Sequence, residues 1–309
     1  MTLQQLEYVV SLDKYRHFNQ AAKACGITQS TLSTMIQKLE LELDIVIFDR
    51  STQPVKPTEA GQMLIDQARI VLYNASQIQE LASNERQKDT GDVSMAISPT
   101  IAPYLVPKLF KYLNKNYPLL KVHGKELYRQ QAVEQLRKAE IDMAIMAMPE
   151  QNDDIIEIPL FHEKMLAYVS PHCPERSLSE IQLYQMPNSN YLWCLKEETR
   201  LLPQVAELKY DVPSETSRYE SGNLATLIRI VQETGGMTIV PELYTIGLRK
   251  EILEGLRPIT NPVPIRDVCL YVRKDYLRER LVNIIVDGVK SFVPEEMLEP
   301  RLRKFAVRL

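Results

Sequence analysis

Ala21-Ala22-Lys23-Ala24-Cys25-Gly26-Ile27-Thr28-Gln29-Ser30-Thr31-Leu32-Ser33-Thr34-Met35-Ile36-Gln37-Lys38-Leu39-Glu40, continuing from Leu41 to Arg50, is the stretch whose reading decides the fold. Two helical patterns meet in it at a tight turn. Ala21, Ala22 and Cys25 form the apolar face of the first. Gly26 breaks it, because glycine accepts the left-handed conformation that ends a helix. Thr28 can cap the second helix, in which Leu32, Met35, Ile36, Leu39 and Leu43 recur at helical spacing. The opposite face carries Gln29, Ser30, Thr31, Ser33, Thr34 and Gln37. A merely solvated face would carry more Glu and Lys. Short, uncharged side chains that both donate and accept suit base edges in a major groove. The pattern therefore predicts a helix-turn-helix whose second helix, with its cap Thr28, reads DNA.

Working outward, Leu3, Leu6, Val9 and Val10 predict a first helix ending near Tyr15-Arg16-His17, and Asn19 is the expected N-cap of the helix through Ala24. Asp44 stands where a glycine would commonly end the recognition helix. Ile45 to Phe48 reads as a short strand, and the turn-rich stretch Asp49 to Pro57 as a wing. Arg50 and Lys56 on that wing are placed for phosphate contacts, which position a module without reading sequence. Thr58-Glu59 opens a long helix with a capping residue and a first-turn acid. Its pattern runs to about Gln87, roughly 45 Å at 1.5 Å per residue. Leu64, Ala68, Val71, Ala75, Ile78 and Ala82 alternate four and three apart, a heptad seam. Such a seam predicts a dimerising linker, and a dimer matches the two-fold symmetry of typical operators.

The chain of 309 residues has 45% hydrophobic and 25% charged residues and a net charge of −3, the composition of a soluble protein of two or three domains. That charge counts against a large non-specific basic surface, while a small local basic patch would be invisible in the total. No apolar run approaches the roughly 20 residues of a membrane span, and Met1 to Val10 lacks the basic start of a secretory signal. The 4 cysteines, Cys25, Cys173, Cys194 and Cys269, form no CxxC pair and read as reduced, buried thiols of a cytoplasmic protein. There is no GxSxG, GxGxxG or HExxH, and His17, His123, His162 and His172 form no spaced cluster. No enzymatic activity, metal or cofactor is expected.

From residue 91 the pattern changes. Asp92 to Ile97, Leu119 to His123 and Ile141 to Ala147 read as strands. They alternate with helices from about Ile101 to Asn116 and Arg129 to Ala139. That βαβαβ order predicts a parallel sheet with crossover helices. Ile155 to Val169 is strand-rich. Tyr191 to Cys194, Ser214 to Tyr219, Met237 to Val240 and Val268 to Val272 are further strands, with helices over Leu224 to Glu233 and Arg278 to Phe292.

A winged helix-turn-helix at the start of the chain, followed by a long linker helix, resembles the LysR-type transcriptional regulators. The residues that carry the resemblance are Phe18, Ala21-Ala22, Thr28 to Ser33, Ile36, Leu39-Glu40, Leu43, Phe48-Asp49-Arg50 and Thr58 to Gly61. Cys25, at a usually leucine position, and Asp44, at the usual glycine, depart from it. The resemblance implies a DNA-binding domain over 1–58, a linker helix over 59–90 and a regulatory domain over 91–309. That last domain would be two α/β subdomains similar to periplasmic solute-binding proteins, 91–162 with 266–309, and 163–265. It implies a sequence-specific regulator on double-stranded DNA, a homodimer and from it a homotetramer, controlled by a small-molecule effector in the interdomain cleft.

Ligands in such folds sit at strand C-termini and helix N-termini. Ser98 and Thr100 precede a helix, Arg129 starts one, and Thr199 and Arg200 follow the strand ending at Cys194. These five are the expected effector residues, and Arg200 favours an anionic effector. Gly235-Gly236 reads as turn geometry rather than a phosphate loop. Within the family the chain resembles the peroxide-sensing OxyR branch, through Tyr15 to Phe18, Gln29 to Ser33, Ile47 to Arg50 and Pro99 to Pro107. That branch senses with a cysteine preceded by a histidine, and a resolving cysteine downstream. Alignment through Leu195-Lys196-Glu197 places Thr199 at the histidine and Arg200 at the cysteine, and no cysteine follows before Cys269. The redox pair is absent. The alternatives are a cysteine-based redox (peroxide) sensor of OxyR type, against which the absence of a paired cysteine counts, and a solute-binding protein, against which the N-terminal module counts.

Overall fold

The computed structural model describes residues 1–84, 90–147, 154–183, 192–193 and 223–300; for 79–84 and 192–193 the backbone alone is described. Contacts divide the chain into two units: Met1–Lys88 with Glu134–Ile141, and Asp89–Val133 with Asp142–Leu309.

The first unit opens with α1 (Leu3–Tyr15), started by a capping box between Thr2 and Gln5. Arg16 ends it in the left-handed conformation (φ 53°). Arg16 and His17 alone separate α1 from α2 (Phe18–Ala24), so the N-cap is extended His17, with no side-chain bond, and Asn19 lies inside the helix. The expected Asn19 cap is corrected: the left-handed turn at Arg16 leaves room for one linking residue, and Phe18 is drawn onto the core. Gly26 is left-handed (φ 68°), as the turn requires. Next comes α3 (Gln29–Leu43), which ends on Asp44 at φ 53° with its N–H on the Glu40 carbonyl. Aspartate tolerates this conformation at a cost of about 1 kcal/mol or less.

The wing strands are β1 (Phe48–Asp49) and β2 (Lys56–Pro57), paired antiparallel. The expected strand over Ile45 to Phe48 is thus displaced. The N–H groups of Ile47 and Phe48 donate to the Glu40 carboxylate, and the Ile47 carbonyl accepts from Thr58 N–H. Both backbone groups of Ile47 are thus engaged by Glu40 and Thr58, and the ladder begins only at Phe48.

Helix α4 (Glu59–Asn84) is 26 residues long, roughly 39 Å at about 1.5 Å per residue. Thr58 caps it by accepting from Gly61 N–H at 2.9 Å. The heptad seam divides in two. Leu64 and Ala68, with Ile65 and Leu72, pack into the core formed by Leu6, Val9, Leu12, Leu32, Ile36 and Leu39. Val71 and Ile78 are 43% and 63% exposed. Arg69 adds an ion pair to the buried Asp13 of α1.

In the second unit, β3 (Gly91–Ile97) pairs in parallel with β4 (Leu120–Glu126) and β5 (Met143–Ala147). Helices α5 (Ala102–Asn116) and α6 (Arg129–Arg137) connect them. The βαβαβ reading holds for these elements. Two long strands depart from a parallel sheet: β6 (Ile155–Val169) and, much later in the chain, β11 (Ile265–Arg273). β11 runs antiparallel to both β5 and β6. Between them come β7 (Ile181–Gln182), β8 (Leu192–Trp193), α7 (Leu224–Thr234), β9 (Met237–Pro241) and β10 (Leu256–Thr260). Among the described residues nine strands form one mixed sheet, in the order β4-β3-β5-β11-β6-β10-β7, with β9 also on β6 and β8 on β9. The strand expected over Ser214 to Tyr219 lies outside the described residues. Helix α8 (Glu279–Lys290) packs on α5, where Gly288 meets Leu109 and Tyr112.

Gly61 lies close against the Ile47 backbone. A Cβ there would stand 1.9 Å from the Ile47 carbonyl oxygen and 2.7 Å from its carbon. In an open helix, glycine to alanine gains about 1 kcal/mol. Here Gly61→Ala is expected to destabilise by about 1–3 kcal/mol, because backbone rather than a flexible side chain must yield. Thermal unfolding of the wild type and the variant reads the sign directly.

Candidate DNA interface and regulatory site

On α3 the apolar repeat and the polar face separate cleanly. Leu32, Ile36 and Leu39 are fully buried, while Gln29, Ser30, Thr31, Thr34 and Gln37 are exposed and Ser33 is half-buried. Thr28 Oγ1 accepts the Thr31 N–H at 3.2 Å and lies 2.9 Å and 2.8 Å from the hydroxyls of Ser30 and Thr31. The first turn thus carries a pre-ordered hydroxyl cluster, and Thr28 acts first as its cap. Gln29, Thr34 and Gln37 are exposed along the same helix.

The wing is held to this helix by Glu40. One carboxylate oxygen takes the Ile47 and Phe48 N–H groups, and the other takes Arg50 Nη2 at 2.7 Å. The Arg50 guanidinium also lies over the Phe18 ring, 5.6 Å from its centroid. Arg50 is therefore oriented by two elements and keeps further donors for a phosphate, since a guanidinium has five. Lys56 is exposed on β2.

The second unit contains a buried polar cluster at the end of β3. Ser98 and Thr100 are 5% and 2% exposed, with their hydroxyls 3.3 Å apart. Arg266 of β11, itself buried, donates from Nη1 to Thr100 Oγ1 at 2.9 Å and from Nη2 to the Thr100 carbonyl and Tyr104 OH. Its Nε donates to Glu163 Oε1 at 3.0 Å, and Tyr104 OH donates to the same oxygen at 2.6 Å. Leu243 N–H donates to Glu163 Oε2 at 3.1 Å. Burial, and then the Glu163 carboxylate, hold the Tyr104 phenol well above its ordinary value, so it stays a donor.

The structure thus brings together Ser98 and Thr100 of the expected effector residues. Arg129 opens α6, half-buried. Its charge is felt at Tyr271, whose phenol is raised chiefly by burial and opposed by Arg129. Thr199 and Arg200 lie outside the described residues. Sequence reading missed Arg266, Glu163 and Tyr104. The signal was faint: Glu163 and Arg266 are two charged residues inside apolar strand patterns, placed opposite each other only by the register Arg266↔Glu163.

Three cysteines are described. Cys269 is buried, donates to Glu157 Oε1 at 3.3 Å, and has its thiol pushed far up by burial and then by that carboxylate. It stays protonated and is a poor nucleophile. Cys173 is half-buried, with its sulfur 3.0 Å from the Gly236 nitrogen. Cys25 is half-buried at the end of α2. These three are free thiols.

Comparison with known proteins places both units. Residues 3–62 match the family described as "Bacterial regulatory helix-turn-helix protein, lysR family", and residues 86–292 match the "LysR substrate binding domain". The "Hydrogen peroxide-inducible genes activator" of Haemophilus influenzae is 35% identical over 300 residues, covering 95% of this chain and 99% of the relative. The "DNA-binding transcriptional dual regulator OxyR" of Escherichia coli is 31% identical over 274 residues, 88% of this chain and 90% of that one. A solved full-length OxyR variant from Pseudomonas aeruginosa superposes with a TM-score of 0.77 at 29% identity, covering 94% of this chain and 98% of that one. With its reading helix and its α/β unit both matched, the chain belongs to the LysR family of transcription regulators.

Proposed function

We propose that this protein is a cytoplasmic, sequence-specific regulator that binds double-stranded DNA as a homodimer or a homotetramer built from it, and that an effector bound beside Ser98 and Thr100 controls it. The observation that carries the reading is the exposed, uncharged face of α3 beside the wing cations. Gln29, Ser30, Ser33, Thr34 and Gln37 supply base contacts, and Arg50 and Lys56 supply phosphate contacts. The exposed Val71 and Ile78 support a dimer seam over the later part of α4. Arg266 is charge-matched by Glu163, so the charge of an anionic effector would be met by Arg129 and Arg200 rather than by Arg266. Binding that favours one arrangement of the regulatory unit shifts the population on DNA.

The relatives named as hydrogen-peroxide-inducible activators favour a second reading, response to peroxide. In this chain it would run without the thiol pair of the OxyR branch, because Arg200 stands at the position of the sensing cysteine in the alignment and no cysteine follows before Cys269. Treatment of the full-length protein with stoichiometric peroxide, followed by peptide mass spectrometry, is expected to yield no intramolecular disulfide and no change in operator affinity. A Cys173–Cys194 bond that alters DNA binding would reverse the conclusion.

DNA recognition is tested with the duplex that the wild type selects from a random library. Gln29→Ala and Ser33→Ala should lose discrimination, each lost base contact costing roughly 1–3 kcal/mol against the selected sequence. Normal affinity and preference in gel-shift titrations of both variants would refute the reading-helix assignment. Lys56→Ala should instead weaken all duplexes alike and lower the slope of log affinity against log salt by about one. Titrations at several salt concentrations separate the two kinds of contact.

A further inference from the structure

Strand β6 changes partners along its length. Ile155 to Lys164 pair with β11, and from Met165 onward the strand pairs with β9 and β10. Glu163 stands at this change, opposite Arg266. Its two oxygens face different parts of the unit. Oε1 accepts from Tyr104 of α5 and from Arg266, which in turn holds Thr100. Oε2 accepts from Leu243 N–H in the 3-10 turn after β9. Beside it, Lys164 N–H reaches Glu242 Oε2 at 3.4 Å, a second bond from β6 to the same turn. Glu163 is 1% exposed, so water is a poor substitute for any of these donors.

We propose that Glu163 is the positioning residue of the regulatory site: its carboxylate holds Thr100, Tyr104 and Arg266 on one side of the β6 partner change in register with the Leu243 turn on the other. The chemistry is specific to a carboxylate, because both oxygens must accept. An amide at this position has one acceptor and one donor. Whichever way it turns, it presents N–H to donors on one side. A ligand that bonds Thr100 or draws Arg266 aside alters the charge and hydrogen bonding at Glu163, and so the hold on Leu243. That is a route by which binding at one place changes the arrangement at another. The proposal rests on the regulatory reading of this unit.

The test uses the full-length wild type, Tyr104→Phe and Glu163→Gln. Amide hydrogen exchange is followed in peptides holding Leu243 and in peptides of the first turns of α5. Footprints are read on the duplex that the wild type selects from a random library. Tyr104→Phe removes one bond to Oε1 and touches no bond to Oε2. The expected result is exchange at Leu243 accelerated about tenfold in Glu163→Gln and several-fold in Tyr104→Phe, with shifted footprint edges or altered affinity in both. If Glu163→Gln does not fold, Tyr104→Phe decides by the same two measurements. Leu243 exchange unchanged in Tyr104→Phe would overturn the proposal. So would faster exchange with footprint and affinity at wild-type values, which marks a stabilising pair with no part in regulation. A wild type that selects no sequence at all overturns the regulatory reading itself, before any variant is made.

Discussion

Arg266 sets the terms for the regulatory unit, because a guanidinium 2% exposed must be matched where it stands. Removing such an ion from water costs several kcal/mol, and a nearby countercharge repays this only with good geometry and further hydrogen bonds. Glu163, Tyr104 and Thr100 supply both. The requirement reaches into the fold. Arg266 and Glu163 meet because β6 and β11 hold one register from Ile265 to Val268, and a slip of one residue there would turn Glu163 to the other face of the sheet. The irregularity in that ladder falls between Val268 and Cys269, past the pair. A register fixed by charge there leaves the ends of both strands to carry the rest of the sheet.

The N-terminal unit solves a similar problem with Glu40. A reading helix is of use only if the wing beside it keeps a set position. Glu40 binds two backbone N–H groups at the start of β1 and the Arg50 side chain after it. Thr58 and Gly61 then press the start of α4 onto Ile47. Residues that looked like separate elements of a family pattern, Phe18, Glu40, Arg50, Thr58 and Gly61, are thus parts of one junction between α3, the wing and α4.

Local signals made much of this readable. Gly26 and Thr28 mark a turn and a cap by their own chemistry, and the spacing of Leu32, Ile36 and Leu39 announces which face is buried. The alternation after residue 91 showed the parallel strands β3, β4 and β5. What stayed hidden depends on distance along the chain. Nothing near Glu163 in sequence says that its partner lies 103 residues away. Nothing near Ile45 says that Glu40 will take the N–H groups a strand would need. The displaced N-cap at His17 has the same origin, since Phe18 is placed by the core it joins rather than by the polarity of Asn19.

The divided seam of α4 bears on how DNA is read. A continuous heptad suggests one long surface for a partner helix. Instead Leu64 and Ala68 are consumed by the protein's own head, and Val71 and Ile78 remain outside it. The same helix thereby packs at one end against the core that holds α3 and leaves apolar side chains exposed further along, where the proposed dimer would use them. That division matters because the reading face is small. A handful of uncharged contacts, each worth roughly 1–3 kcal/mol of discrimination, cannot distinguish one site among many by itself. Two heads held at a fixed spacing make the second engagement effectively intramolecular, and their selectivities multiply without any new contact. In the proposed reading, a recognition helix without arginine or lysine at Gln29, Ser30, Ser33, Thr34 and Gln37 therefore depends on its linker helix as much as on its own side chains.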